Sequence, residues 1–150
     1  MKKVLGKYVE LYTVITVVFC TAILILREKV SFHKKVSAVL LFISCVHGWE
    51  ESKFPGGYFD LLLGKLGLAD KLPAELTHPL LGNAPLAAFA VSLLKEEAPF
   101  KYAFCFMGLF EMVTHTLGIK LYNNMEKFYV PGIYTGYLWG AVAVWYLLKK

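Results

Sequence analysis

The sequence predicts an all-α integral membrane protein: one domain over residues 1–150, built as a bundle of about five transmembrane helices with one interfacial amphipathic segment. Three observations carry this expectation. Hydrophobic residues make up 57% of the 150 and charged residues only 18%, with a positive mean hydropathy, a balance too apolar for a soluble domain of this size. Apolar runs recur at lengths that suit a bilayer crossing. Lys and Arg gather at the ends of those runs, where interfacial cations belong.

The first run, Tyr8 to Leu26, is broken only by Glu10 and bounded by Lys7 and Arg27. Lys2, Lys3 and Lys7 resemble the basic leader of a signal peptide. No small-x-small pattern closes the run, however, and further hydrophobic segments follow, so it is expected to stay as the first span (8–26). Thr13, Thr16 and Cys20 form a small-residue stripe along it, a helix-packing face. Glu10, near its end, reads as a solvated terminal carboxylate. The second span is expected at 35–54. Just before it, His33 stands beside Lys34 and Lys35 and reads as solvated.

Pro55 to Thr77 is the one long connection. It is rich in leucine, but Asp60, Lys65, Asp70 and Lys71 interrupt it, the pattern of a helix lying at the headgroup boundary. Spans at 79–94, 100–117 and 131–148 follow, with Pro79, Pro85 and Pro131 suiting helix starts. Gly136 and Gly140 form a GxxxG, compatible with close packing or with a homo-oligomer. Cys20, Cys45 and Cys105 fall in three different apolar runs, and no disulfide is expected.

A net charge of +5 would draw attention to nucleic acid if the cations shared one element. They are dispersed, so no nucleic-acid partner is expected, only membrane lipids and a hydrophobic substrate. The expected location is multi-pass in the cell membrane. The 16 Lys and Arg divide equally between the two faces of the five-span topology, so the chain's orientation stays open.

Five ionisable side chains lie inside apolar runs: His47, Glu50 and Glu51 in the second, Glu111 and His115 in the fourth. Such groups are costly in a bilayer and mark functional sites whose members partner one another. Both spans run in the same direction. At about 1.5 Å per residue the two groups sit at matching depths, roughly 16 to 24 Å from one face. Within each helix they share a face, Glu50 and Glu51 flanking His47 and Glu111 standing one turn from His115. Convergence of the two faces would make a single pocket. His78 and Asn83, at the start of the third span, and Tyr129, Pro131 and Gly132, at the start of the fifth, fall at the same end of the bundle and are further candidates for it.

These residues carry a family resemblance. His47-Gly48-Trp49-Glu50-Glu51 matches the HxxEE motif, His115 stands for a later histidine, and Tyr129-Val130-Pro131-Gly132 reads as YxPG. In this the chain resembles the HxxEE-motif family of small integral membrane proteins over residues 47 to 132. That family's activity is unassigned, so the resemblance implies the site without naming a reaction.

Three ionised carboxylates beside two neutral imidazoles need protons or a cation in a low-dielectric pocket. A divalent metal ion is the simplest compensation, and His with Glu suits Zn, Fe or Mn. By comparison with HxxEH metalloprotease helices, His47 and Glu51 are expected as ligands, His115 as a third, Glu50 as general base, and Glu111 as a fourth ligand or an outer partner. The motif ends in Glu rather than His. ExxH on two helices, which a ferritin-like di-metal site would want, is lacking, and the Arg expected after the paired glutamates of CAAX-type intramembrane proteases is absent.

Apolar walls and a polar end imply a lipid or other hydrophobic substrate and a metal-dependent enzyme, hydrolytic sooner than oxidative. One alternative is a metal-free acid/base lipid or isoprenoid isomerase, to which small five-span sterol isomerases offer an analogy of architecture. Another is a proton or metal-ion relay, although no inverted repeat is visible.

Overall fold

A computed structural model describes residues 7–72, 74–94, 97–121 and 130–149. Every regular element among them is helical. The order is α1 (Tyr8–Ile25), α2 (Phe32–Ser52), a short α3 (Tyr58–Lys65), α4 (Ala74–Leu94), a 3₁₀ turn (Phe100–Tyr102), α5 (Ala103–Leu121) and α6 (Ile133–Leu148). Two stretches, Tyr8–Ile25 and Phe100–Ile119, are long and apolar enough to cross a bilayer, and Pro79–Leu94 and Ile133–Leu148 are shorter apolar helices.

Helix ends follow local chemistry. Ser31 caps α2 by accepting from the Lys34 N–H, so the helix starts before the Lys35 expected from hydropathy. It stops where Pro55, Gly56 and Gly57 begin a turn. Gly56 has φ +76° and a Cβ there would stand 2.9 Å from the Ser52 carbonyl oxygen, so this turn requires glycine. Helix α4 corrects a second expectation, since it begins at Ala74 and holds Pro79 and Pro85 in its interior. Interior prolines each remove one backbone hydrogen bond and bend a helix, a cost that packing against neighbours offsets.

The connection between α2 and α4 is not one helix. Only α3 is regular within it, and its Tyr58, Phe59 and Leu63 are buried against the bundle.

The outer surface of the bundle is rich in large apolar side chains, while several polar ones lie inside beside an apolar core. Thr16, Ser37, Ser44, His47, Glu51, Ser92 and His115 are buried, whereas Val17, Val18, Phe42, Leu80, Phe110 and Leu138 are exposed. Interhelical hydrogen bonds use the buried hydroxyls. Tyr12 pairs with Ser44, Tyr8 with Ser52, and the Trp49 indole donates to Thr13 Oγ1 at 2.8 Å. Cys20 Sγ lies 3.5 Å from the Ala38 carbonyl, so the stripe expected on the first helix does face α2. All three cysteines are free.

Helices α5 and α6 make the most extensive contact, and glycines allow it. Trp139 lies across Gly108, where an added Cβ would stand 2.4 Å from the indole, and Met112 fills the space over Gly140. The GxxxG face is thus occupied within the chain. Trp139, Phe104, Tyr12, Leu40 and Leu41 centre the main core, and a second cluster of Tyr8, Val9, Tyr58, Phe59, Val130 and Ile133 closes one end.

His33 is not simply solvated. Its Nε2 faces the Ser92 carbonyl at 3.1 Å and its Nδ1 the Tyr146 hydroxyl at 2.9 Å, tying the start of α2 to the ends of α4 and α6.

Candidate metal centre

The i,i+4 spacing places His47 above Glu51 on α2 and Glu111 above His115 on α5, and the two faces meet inside the bundle. One donor atom from each of the four lies within 4.8 Å of all the others. His115 Nε2 stands 3.1 Å from Glu51 Oε1 and 3.7 Å from Glu111 Oε2; His47 Nε2 stands 3.5 Å and 3.7 Å from the same two oxygens. With donor–metal bonds of about 2.1 Å, neighbouring donors in a tetrahedron are about 3.4 Å apart. The quartet can hold a metal ion.

Buried polar atoms normally find hydrogen-bond partners, and exceptions ask for an explanation. His47 Nε2, Glu51 Oε1 and both ring nitrogens of His115 are buried without one. His115 is 0% exposed and His47 2%. Among the described residues no Lys or Arg is ion-paired with Glu51 or Glu111. Unbonded donors converging on one point, with uncompensated carboxylates among them, are the chemistry of a cation site.

Helix α6 supplies the third wall and the orientation of one ligand. Thr135 Oγ1 donates to Glu50 Oε2 at 2.7 Å and lies 2.9 Å from His47 Nδ1. A hydroxyl has one hydrogen, and here it points to the carboxylate, so His47 must donate from Nδ1–H to Thr135. That tautomer leaves the lone pair on Nε2, aimed at the quartet, the arrangement that outer hydrogen bonds impose on metal-binding histidines. Thr135→Val is expected to weaken metal affinity by about 10- to 100-fold, with Thr135→Ser near wild type. Competitive chelator titration measures this, and equal affinity in Thr135→Val would remove the assignment.

Gly132 and Gly136 bring α6 onto the imidazoles. A Cβ at Gly136 would stand 3.1 Å from His115 Cδ2 and 3.4 Å from His47 Cε1. At Gly132, φ +91°, it would meet His115 Cε1 at 2.7 Å and Glu51 Cγ at 2.8 Å. Tyr58 of α3 covers the other side of His115, ring centroids 4.4 Å apart.

The remaining sequence candidates separate. Glu50 adjoins the quartet through Thr135 but does not line the neighbouring cavity. Pro131, half-buried, forms the turn that delivers Gly132. Asn83 turns back onto its own helix, its Nδ2 donating to the Pro79 carbonyl at 2.6 Å. The backbone of His78 lies in α4, while its side chain, like all of Tyr129, is outside the described residues. Glu10 is half-exposed at the rim of the bundle, 3.8 Å from Lys53 Nζ. Thr135 and Tyr58 carried no signal of their own, since a threonine and a tyrosine in apolar helices are ordinary, and Gly136 stood out only as part of a GxxxG packing face.

A cavity of about 320 Å³ reaches the quartet. His47, Glu51 and Glu111 line it together with Tyr12, Ser44, Ser52 and Thr114, and apolar residues of α3, α4 and α5 complete the wall.

No protein-family model, curated protein or solved structure matches the chain.

Proposed function

We propose that the chain is a multi-pass membrane protein of the HxxEE-motif type in which His47, Glu51 and His115 hold a divalent metal ion, Zn, Fe or Mn, with Glu111 beside it, and that it acts hydrolytically on a lipid or other hydrophobic substrate. The observation that carries this reading is a set of four donors all within 4.8 Å of one another, each imidazole 3.1 to 3.7 Å from two carboxylate oxygens, with four ring and carboxylate atoms buried without a hydrogen bond. The spanning reading takes α1, α2, α4, α5 and α6 as crossings. Its support is the apolar exterior: each of the five turns large apolar side chains outward, as a surface facing acyl chains would.

His47, Glu51 and His115 would hold the ion, a two-histidine, one-glutamate set that leaves a position for substrate. The ion, when bound, supplies Lewis-acid activation of a carbonyl or a water. Glu111 lines the cavity beside the three ligands, where its carboxylate would take up and return the proton; Thr114 Oγ1 donates to its backbone carbonyl at 3.0 Å and lies 3.4 Å from Oε2. Glu50, expected from its motif position to be the base, holds Thr135 and through it His47. A proton-accepting carboxylate at the cavity wall is what hydrolysis requires, and it favours that reaction class over oxidation.

Elemental analysis of detergent-purified protein, prepared without chelators, tests the reading. Wild type is expected to carry near-stoichiometric Zn, Fe or Mn and a folded His47→Ala variant only background. Background metal in wild type would sink the metalloenzyme and leave proton chemistry on a lipid, or an ion relay, as the functions to pursue.

A further inference from the structure

The cavity has three properties that together define its occupant. The first is size: about 320 Å³ lies at the small end of ligand pockets, room for one slim chain and not for a two-chain phospholipid.

The second is the chemistry of its polar end. No Lys or Arg is among the described residues lining it, whereas Glu51 and Glu111 both are. Of the lining hydroxyls, those of Tyr12, Ser44 and Thr114 have committed their hydrogens within the protein and offer lone pairs. Ser44 gives its hydrogen to the Leu41 carbonyl, so Tyr12 must spend its own on Ser44 Oγ. Thr114 spends its hydrogen on Glu111. With an ion in the quartet its two positive charges are already matched by Glu51 and Glu111, so a phosphate or carboxylate head would add uncompensated negative charge beside hydroxyl lone pairs. An uncharged head with O–H or N–H groups would find acceptors.

The third is the position of its mouth. The lining residues contributed by α1, α2 and α3 are buried or half-buried; the exposed ones, Leu81, Ala84, Phe110 and Leu117, all belong to α4 and α5. Their exposed surface is apolar, so the opening between these helices looks into the hydrocarbon layer if the helices span.

Resting on the reading of the quartet as a metal centre in a spanning bundle, we infer that the cavity binds an uncharged single-chain amphiphile, its head bearing a hydroxyl or amide N–H, which enters sideways between α4 and α5. Monoacylglycerols, fatty alcohols and N-acyl amides share that chemistry; single-chain phosphates do not.

The test is photo-crosslinking of the purified protein in nanodiscs with a diazirine-bearing monoacylglycerol, beside lysophosphatidic acid with the same chain. Adducts are mapped by mass spectrometry and metal content is measured on the same samples. The monoacylglycerol is expected to mark Met107 or Ser44, to be displaced by its unlabelled form, and to exceed lysophosphatidic acid there at least five-fold. Ala84→Trp, or Leu81→Trp as a second variant at the mouth, is expected to cut that labelling at least five-fold while metal content holds. Equal labelling by the phosphate overturns the charge argument, and labelling indifferent to both tryptophans overturns the sideways entry. Metal without cavity adducts defeats this inference alone. Adducts without metal leave the binding site standing and remove the metalloenzyme.

Discussion

Glu51→Gln is expected to lower bound metal to less than a tenth of wild type and, in protein stripped by chelator, to raise the melting temperature. The two effects have one origin. Glu51 Oε1 is the nearest carboxylate oxygen to both imidazoles, 3.1 Å from His115 Nε2 and 3.5 Å from His47 Nε2, so its charge matters most when an ion sits among them. Without the ion, Glu51 and Glu111 share a buried pocket with no paired Lys or Arg among the described residues, and either burying a carboxylate charge there or protonating it costs several kcal/mol. An amide of the same shape removes one such charge. If about 1 to 2 kcal/mol of that cost is recovered, the stripped variant melts roughly 2 to 8 °C above stripped wild type. With metal present the order reverses, since an ion at 100 times its Kd stabilises by about 2.7 kcal/mol. Thermal melts of both proteins, loaded and stripped, decide it. Wild-type metal content in the variant, or a stripped wild type that melts higher, contradicts the arrangement.

Gly132→Ala is expected to be severely damaging. At φ +91° any side chain is strained, and the new Cβ would stand 2.7 Å from His115 and 2.8 Å from Glu51. Backbone strain costs about 1 to 3 kcal/mol and overpacking a further 1 to 3, so a loss on the order of 4 kcal/mol follows. That corresponds to a melting temperature lower by roughly 10 °C, together with impaired metal binding. Gly57 supplies the control. Its φ is +85°, but nothing lies within 4 Å of an added Cβ, so Gly57→Ala meets only the backbone cost and keeps its metal. Similar losses in the two variants would show that the contact with His115 and Glu51 is unimportant.

What could be read from the sequence was whatever is rare in its setting. Ionisable groups inside apolar runs are rare, so His47, Glu51, Glu111 and His115 stood out, and equal depth along parallel-running helices was enough to anticipate their meeting. Helical segments were legible because apolar runs end at lysines and arginines. Proline misled at the start of α4, because a signal for helix starts is also tolerated inside a helix whose neighbours restore the packing. His33 misled for the opposite reason: two flanking lysines suggested water, and only the tertiary fold brings Ser92 and Tyr146 to it. Thr135 was invisible, since its role depends on the direction of one hydroxyl hydrogen between two residues of another helix.

The wall formed by Gly132, Thr135 and Gly136 also sets an order of events in biosynthesis. Helix α6 follows both ligand-bearing helices along the chain, so the four donors emerge from the ribosome before the segment that seals and orients them. Until it packs, His115 lacks one flank and His47 lacks the hydrogen bond that fixes its ring. The complete four-residue arrangement therefore exists only once the last helix has docked on α2 and α5, at the end of folding.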